Sequence, residues 1–152
     1  MAKFIYPFQK ILDYKENEKE FAQIQMAQAI SMQKESLRKI QEIYQKIIEA
    51  EKEKNQRQQD GVNIFELRMH ELYINQLNEQ LMSAERELEQ MESRVAKTQG
   101  HLQVKVQEEK TWSNLKKQKL SQFEHQAKAA EQAYFDELAA SRYYRASAVE
   151  RG

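Results

Sequence analysis

Three histidines, His70, His101 and His125, are the only imidazoles in a chain of 152 residues that has no cysteine. A metal site needs several ligand side chains at spacings that converge on one point. None of the three has a His or Cys neighbour at such a spacing, and Glu66 and Glu71 do not complete a site around His70. They read as solvated histidines on a helix surface. The acid pairs Glu108-Glu109 and Asp136-Glu137 resemble a general acid and base only in type. Raising a carboxylate pKa takes a water-excluding pocket, and the elements described below do not build one. Lys105, Lys110, Lys116, Lys117 and Lys119 have the charge to hold phosphate. Trp112 is the one aromatic near them on which a base could stack, so nucleic acid is not expected. These lysines are expected to solvate their helix and to face Asp13, Glu16 and Glu20. No Walker loop, glycine-rich phosphate cradle or Gly-x-Ser-x-Gly elbow occurs. The expectation is no catalytic residue, no cofactor, no metal and no enzyme activity.

The elements that must position any site follow from the scarcity of breakers: 3 Gly and 1 Pro in the whole chain. That is too few for the turns of a sandwich, a barrel or an α/β domain. Pro7 suits the first turn of a helix, and neither Pro nor Gly recurs until Gly61. Leu37, Ile40, Tyr44 and Ile47 alternate steps of three and four, with Ile30, Ile43 and Ile48 widening the stripe. Phe8, Leu12, Ala22, Met26 and Ala29 continue a heptad seam toward the start, interrupted by Lys15 and Lys19. One helix over about 7–58 is expected. From Asn55 the chain loses its apolar residues and ends in Asp60-Gly61, a turn dipeptide, so a corner is placed at about 59–63. Asn63 with Glu66 forms a capping-box-like pair, and Val62 with Leu67 takes the staple positions.

The second helix, expected over about 64–140, has the cleaner pattern. Ile74, Leu77, Leu81, Ala84, Leu88, Met91, Val95, Thr98 and Leu102 alternate steps of three and four. From Leu102 the next good seam position is Val106, two successive steps of four, which is a stutter, and Gly100 lies beside it. The new register runs through Glu109, Ser113, Lys116, Leu120, Phe123, Ala127, Ala130 and Tyr134. Tyr44, Phe65 and Trp112 are expected in or beside the seam. For Tyr73, packing at the seam edge and docking of a partner both remain open. The pattern fades after Leu138–Ala140, and 141–152 are expected as a flexible tail.

Two long amphipathic helices joined by a short corner fold back on each other. The fold class is all-α: an antiparallel coiled-coil hairpin, rod-like, one domain over 1–152. Pairing counted from Gly61 sets Phe4 opposite residue ~120, which leaves Phe123, Tyr134 and Phe135 on an overhang. An apolar overhang is a candidate partner site. The 24 basic and 24 acidic side chains cancel, so net charge supplies no drive toward nucleic acid or anionic lipid. The charges are nonetheless segregated. Ile64 to Val95 holds seven Glu and three Arg, and Ala96 to Lys119 holds six Lys and two Glu. No stretch is apolar enough to insert into a bilayer, a signal peptide is not expected, and the expected setting is the cytosol.

Three segments resemble one family. Phe4-Ile5-Tyr6-Pro7-Phe8-Gln9-Lys10-Ile11-Leu12-Asp13-Tyr14-Lys15-Glu16 is similar to the N-terminal signature of the flagellar export protein FliJ. Leu72-Tyr73-Ile74-Asn75-Gln76-Leu77 resembles the family's aromatic-x-x-x-Leu segment. Glu131-Gln132-Ala133-Tyr134-Phe135-Asp136-Glu137-Leu138-Ala139 resembles its closing Asp-Glu element. The resemblance implies a coiled coil like the central stalk of rotary ATPases. Such a stalk binds the flagellar export ATPase hexamer, promotes its assembly and activity, links it to the cytosolic part of the export gate protein, and escorts export chaperones. It would sit in the cytoplasm, peripherally associated with the cytoplasmic face of the cell membrane through the export apparatus. Carried onto this chain, the ring contacts would be Phe4, Phe8, Leu12, Phe123, Tyr134, Phe135 and Leu138. The gate contacts would be Tyr73, Leu77, Gln80 and Ala84. Tyr73 stands where the family has Phe, and Gln80 and Ala84 replace the small residue and histidine of some relatives. Two alternatives stay open: the equivalent stalk of a virulence injectisome, and a general coiled-coil scaffold or holdase chaperone.

Overall fold

The computed structural model describes residues 2–151. Two helices account for nearly all of them: α1 (Gln9–Asp60) and α2 (Ile64–Arg151), with no strand among the described residues. The two helices pack antiparallel, as a helical hairpin.

Pro7 lies just before α1 rather than inside its first turn. The Gln9 N–H donates to the Tyr6 carbonyl at 3.1 Å, which closes a turn with proline second; its fixed φ suits that place. The helical ladder then opens with the Leu12 N–H donating to the Phe8 carbonyl at 3.0 Å. At the other end α1 runs on to Asp60, and the corner shrinks to Gly61-Val62-Asn63. Gly61 has φ +86°, a left-handed conformation that disfavours any residue with a Cβ. Asn63 caps α2: its Oδ1 accepts from the Glu66 N–H at 2.8 Å, and its carbonyl accepts from the Leu67 N–H at 3.1 Å. Val62 and Leu67, at the staple positions, are both half-buried.

Packing groups the chain into two compact units. The first spans Glu18–Lys105. Its partners run in opposite directions: Glu18 meets Lys105, Met32 meets Arg94, Lys39 meets Glu87 and Lys54 meets Glu71. On α2 all nine expected seam residues, Ile74 through Leu102, are buried or half-buried. Thr98, the polar one, satisfies its hydroxyl locally on the carbonyls of Arg94 and Val95, each at 3.0 Å. On α1 the seam is a strict heptad through Ala22, Met26, Ala29, Gln33, Ser36, Ile40, Ile43, Ile47 and Ala50.

Two α1 expectations are corrected. Leu37 and Tyr44 are exposed at 41% and 47%, and Ser36 and Ile43 occupy the seam instead. The register set by Ala22 and Ala29 continues unbroken, and a small residue at position 36 lets the backbones stay close. Phe65, also expected at the seam, is 72% exposed. The best-packed cluster of this unit is Ile47, Ala50, Ile74 and Leu77, with Ile43 and Leu81 against it.

The second unit comprises the N-terminal residues through Asn17 with the chain from Val106 onward. The unit boundary falls at the stutter, and the shifted register is occupied in part: Val106, Glu109, Ser113, Lys116 and Phe123 are half-buried, whereas Leu120, expected in the same row, is 38% exposed. Gly100 is not there for close approach, since a Cβ on it would meet nothing within 4 Å. Helix α2 does not end near Ala140 but continues to Arg151. Residues 141–149 contain no Pro or Gly and are rich in Ala and Arg, which favour helix. The seam pattern stops there because nothing packs against it, whereas helix formation needs no partner row. The end of the expected tail, Gly152, lies outside the described residues. No helix among them is long and apolar enough to cross a membrane.

Candidate functional site

The aromatic end of the second unit begins with an extended segment. Residues 2–6 are not helical, so side chains of Phe4 and Tyr6 share one side at a period of two, and the turn at Pro7 adds Phe8 to them. Tyr6 is 5% exposed. Its hydroxyl donates to the Trp112 carbonyl at 3.2 Å. Phe8 packs edge-on to both Tyr6 and Trp112, with centroids 5.9 and 5.7 Å apart. Phe4 meets Phe123 at 5.6 Å, so Phe123 is paired and half-buried rather than on the overhang where it was expected. Such ring pairs add about 0.5–1.5 kcal/mol each beyond the area they bury. Tyr6 was not singled out from sequence, although the alternation of Phe4, Tyr6 and Phe8 before the helix signals it.

Below this cluster the seam is ionic. Leu12 is buried at 3% exposure, so its side chain serves the hairpin rather than presenting a surface. Lys15 pairs with Glu108 at 3.1 Å. Within the other unit Lys105 pairs with Glu18 at 2.7 Å, both side chains 20% exposed. These are not the expected acids: Asp13 instead accepts from the Gln9 side chain at 2.9 Å. Heptad spacing puts Lys15, Glu18, Lys105 and Glu108 nearer the seam than Asp13 or Glu20, and half-buried charges select each other more strongly than solvated ones.

Beyond Phe123 the α2 residues have no partner helix. Tyr134, Phe135 and Leu138 are exposed at 61%, 55% and 36%, with Tyr134 and Phe135 edge-on to each other at 5.9 Å. An open groove of ≈ 750 Å³ runs along Ala2, Phe123, Gln126, Ala127, Glu131 and Tyr134. Of the seven residues expected to contact a ring, the structure thus uses Phe4 and Phe123 in one aromatic pair and Phe8 in a separate group with Tyr6 and Trp112. It leaves Tyr134, Phe135 and Leu138 exposed further along the same helix, and it buries Leu12.

The second expected set lies on one stripe of α2. Leu77 and Ala84 are seam residues, 3% and 8% exposed, while Tyr73 is 48% exposed and Gln80 is exposed beside them. In the closed hairpin only Tyr73 and Gln80 offer side chains to a partner. The histidines are dispersed: His70 is half-buried, and His101 and His125 are exposed. Among the described residues no group of three or more His, Asp or Glu is arranged to hold a metal ion.

The comparisons with known proteins agree with the signatures in the sequence. A family model described as flagellar FliJ protein matches residues 4–148. No curated protein and no solved structure matches the chain.

Proposed function

The chain belongs to the FliJ family and is therefore a component of flagellar protein export; from that premise we propose that it is a non-enzymatic stalk that binds and regulates the export ATPase ring. One observation supports this reading above the rest. The apolar row of α2 outlasts its intramolecular partner, leaving Tyr134, Phe135 and Leu138 exposed past the Phe4–Phe123 contact. Isolated apolar side chains on a surface need no explanation, but a row that continues a packed seam does. A helix pair holding no substrate acts on an ATPase by binding some conformations of the ring better than others. Any stimulation of turnover must then come from that differential affinity. In the same reading Tyr73 and Gln80 face the cytosolic part of the export gate protein. The protein works at the cytoplasmic face of the membrane, held there through the export apparatus, and passes export chaperones to it.

The test is reconstitution with the matching export ATPase. Intact protein is expected to co-purify with the ring and to raise its turnover. Phe123→Ala/Phe135→Ala, and a chain truncated after Gln126, are expected to lose both effects. Full binding by the truncated chain would overturn the reading. Retained binding of unfolded clients, with no effect on the ATPase, would favour a holdase.

A further inference from the structure

The two flanks of the α1 seam are unlike each other. On one side stand Glu35, Lys39, Glu42, Lys46 and Glu49, the charged border usual for a two-stranded coiled coil. This side is fixed by the Lys39–Glu87 pair. On the other side Ile30, Leu37 and Tyr44 recur at intervals of seven, with Ile48 one turn beyond Tyr44. The Tyr44 hydroxyl, 3.4 Å from Glu85, fixes that side. Ile30 is half-buried, and Leu37, Tyr44 and Ile48 are 41%, 47% and 58% exposed. Apolar residues at the two seam positions plus one flank are the pattern of a helix in a bundle, whereas a strict two-position seam suffices for a pair. Along this edge α1 is written for two neighbours and has one.

The Tyr44–Glu85 contact brings the neighbouring flank of α2 beside this row. Met82, 56% exposed, stands beside the exposed Glu85, Glu89 and Glu92. These residues, with Arg86 and Leu88, line a shallow groove of ≈ 370 Å³. The surface thus sets an apolar row on α1, interrupted by Lys34 and Gln41, beside an α2 flank with three exposed Glu and one Arg. We propose that it docks one amphipathic helix of a partner protein, apolar toward α1 and carrying Lys or Arg on the flank that meets α2. The α1 row from Ile30 to Ile48 is about 27 Å long, which an 18-residue helix spans. The proposal uses no residue of the aromatic end and stands apart from the ring reading.

A designed peptide tests it directly: 21 residues, Leu at the inner heptad positions, Lys on the flanks, labelled for fluorescence anisotropy. The full-length protein is expected to bind it, and to bind a scrambled peptide of the same composition and a Glu-for-Lys version at least about tenfold more weakly. Leu37→Glu/Ile48→Glu is expected to weaken binding by a similar factor. So is Glu89→Gln/Glu92→Gln, which changes only exposed carboxylates and leaves the helix pair intact. Circular dichroism melts confirm that each variant is folded. Equal binding by the variants, or by the scrambled peptide, overturns the proposal. It is overturned equally if sedimentation shows a dimer of the intact chain that Leu37→Glu/Ile48→Glu makes monomeric, because the occupant is then a second copy.

Discussion

The hydroxyl of Tyr6 reaches across to the backbone carbonyl of Trp112 at 3.2 Å, joining two residues 106 positions apart. That bond ties the extended N-terminal segment to α2 within one compact unit. A side chain only 5% exposed delivers it, so most of its value lies in the ring. Tyr6→Phe is expected to cost about 1 kcal/mol, the net worth of one such bond. Tyr6→Ala is expected to cost about 3–5 kcal/mol, as for other buried aromatics. Trp112, the single tryptophan, reports both in denaturant melts followed by fluorescence. Equal losses for the two variants would show that the ring contributes nothing beyond the hydroxyl.

The two internal glycines should respond to alanine with opposite signs. Gly61→Ala forces a Cβ into a left-handed conformation at φ +86°, at a cost of about 1–2 kcal/mol. Gly100→Ala meets open space in mid-helix, and removing backbone freedom there should add about 0.5–1 kcal/mol. Thermal melts of the two variants are read against the parent.

Ser36 Oγ is buried with no hydrogen-bond partner among the described residues, at 3% exposure for the residue. An unsatisfied hydroxyl in such a place costs about 1–3 kcal/mol. Ser36→Ala keeps the close approach and removes the polar atom, so a higher midpoint in urea is expected. A lower midpoint would mean that the hydroxyl is satisfied in solution.

Arg38 hydrogen-bonds the Glu35 carboxylate and also pairs with Glu42 on the α1 surface. The bond to Arg38 holds the Glu35 carboxyl below its usual range. A depressed folded pKa stabilises the protein above the unfolded value, and the gain is lost as pH falls through the folded one. An NMR titration should therefore place Glu35 lower in the parent than in Arg38→Gln. Because both side chains are exposed, the accompanying change in stability at neutral pH is expected to be slight.

Much of the hairpin was legible beforehand, and particular residues show why. The α2 row from Ile74 to Leu102, the stutter to Val106, the Asn63 cap and the Gly61 corner are local statements. Periodicity, capping chemistry and turn chemistry act within a few residues, so sequence suffices for them. Counting back from that corner brought Phe4 to within a turn of its contact, but it put Phe123 on the overhang, where the structure pairs it with Phe4.

Other features waited on the partner helix. Two rows on α1, Ile30-Leu37-Tyr44 and Ala29-Ser36-Ile43, both repeat at seven. The sequence alone favours the larger residues, while the packed register set by Ala22 and Ala29 takes the second row into the seam. Lys15 found Glu108, and Lys105 found Glu18, because burial strengthens a charge pair by an amount that spacing cannot reveal. Leu77, Ala84 and Leu12 went into the seam while Tyr73, Tyr134 and Phe135 stayed out, and α2 ran on past Ala140. Sequence by itself determined which stretches are helical, where the chain reverses and which α2 face is apolar. Only the tertiary structure decided which α1 row closes on it and which aromatics remain exposed, since both depend on what a neighbouring helix covers.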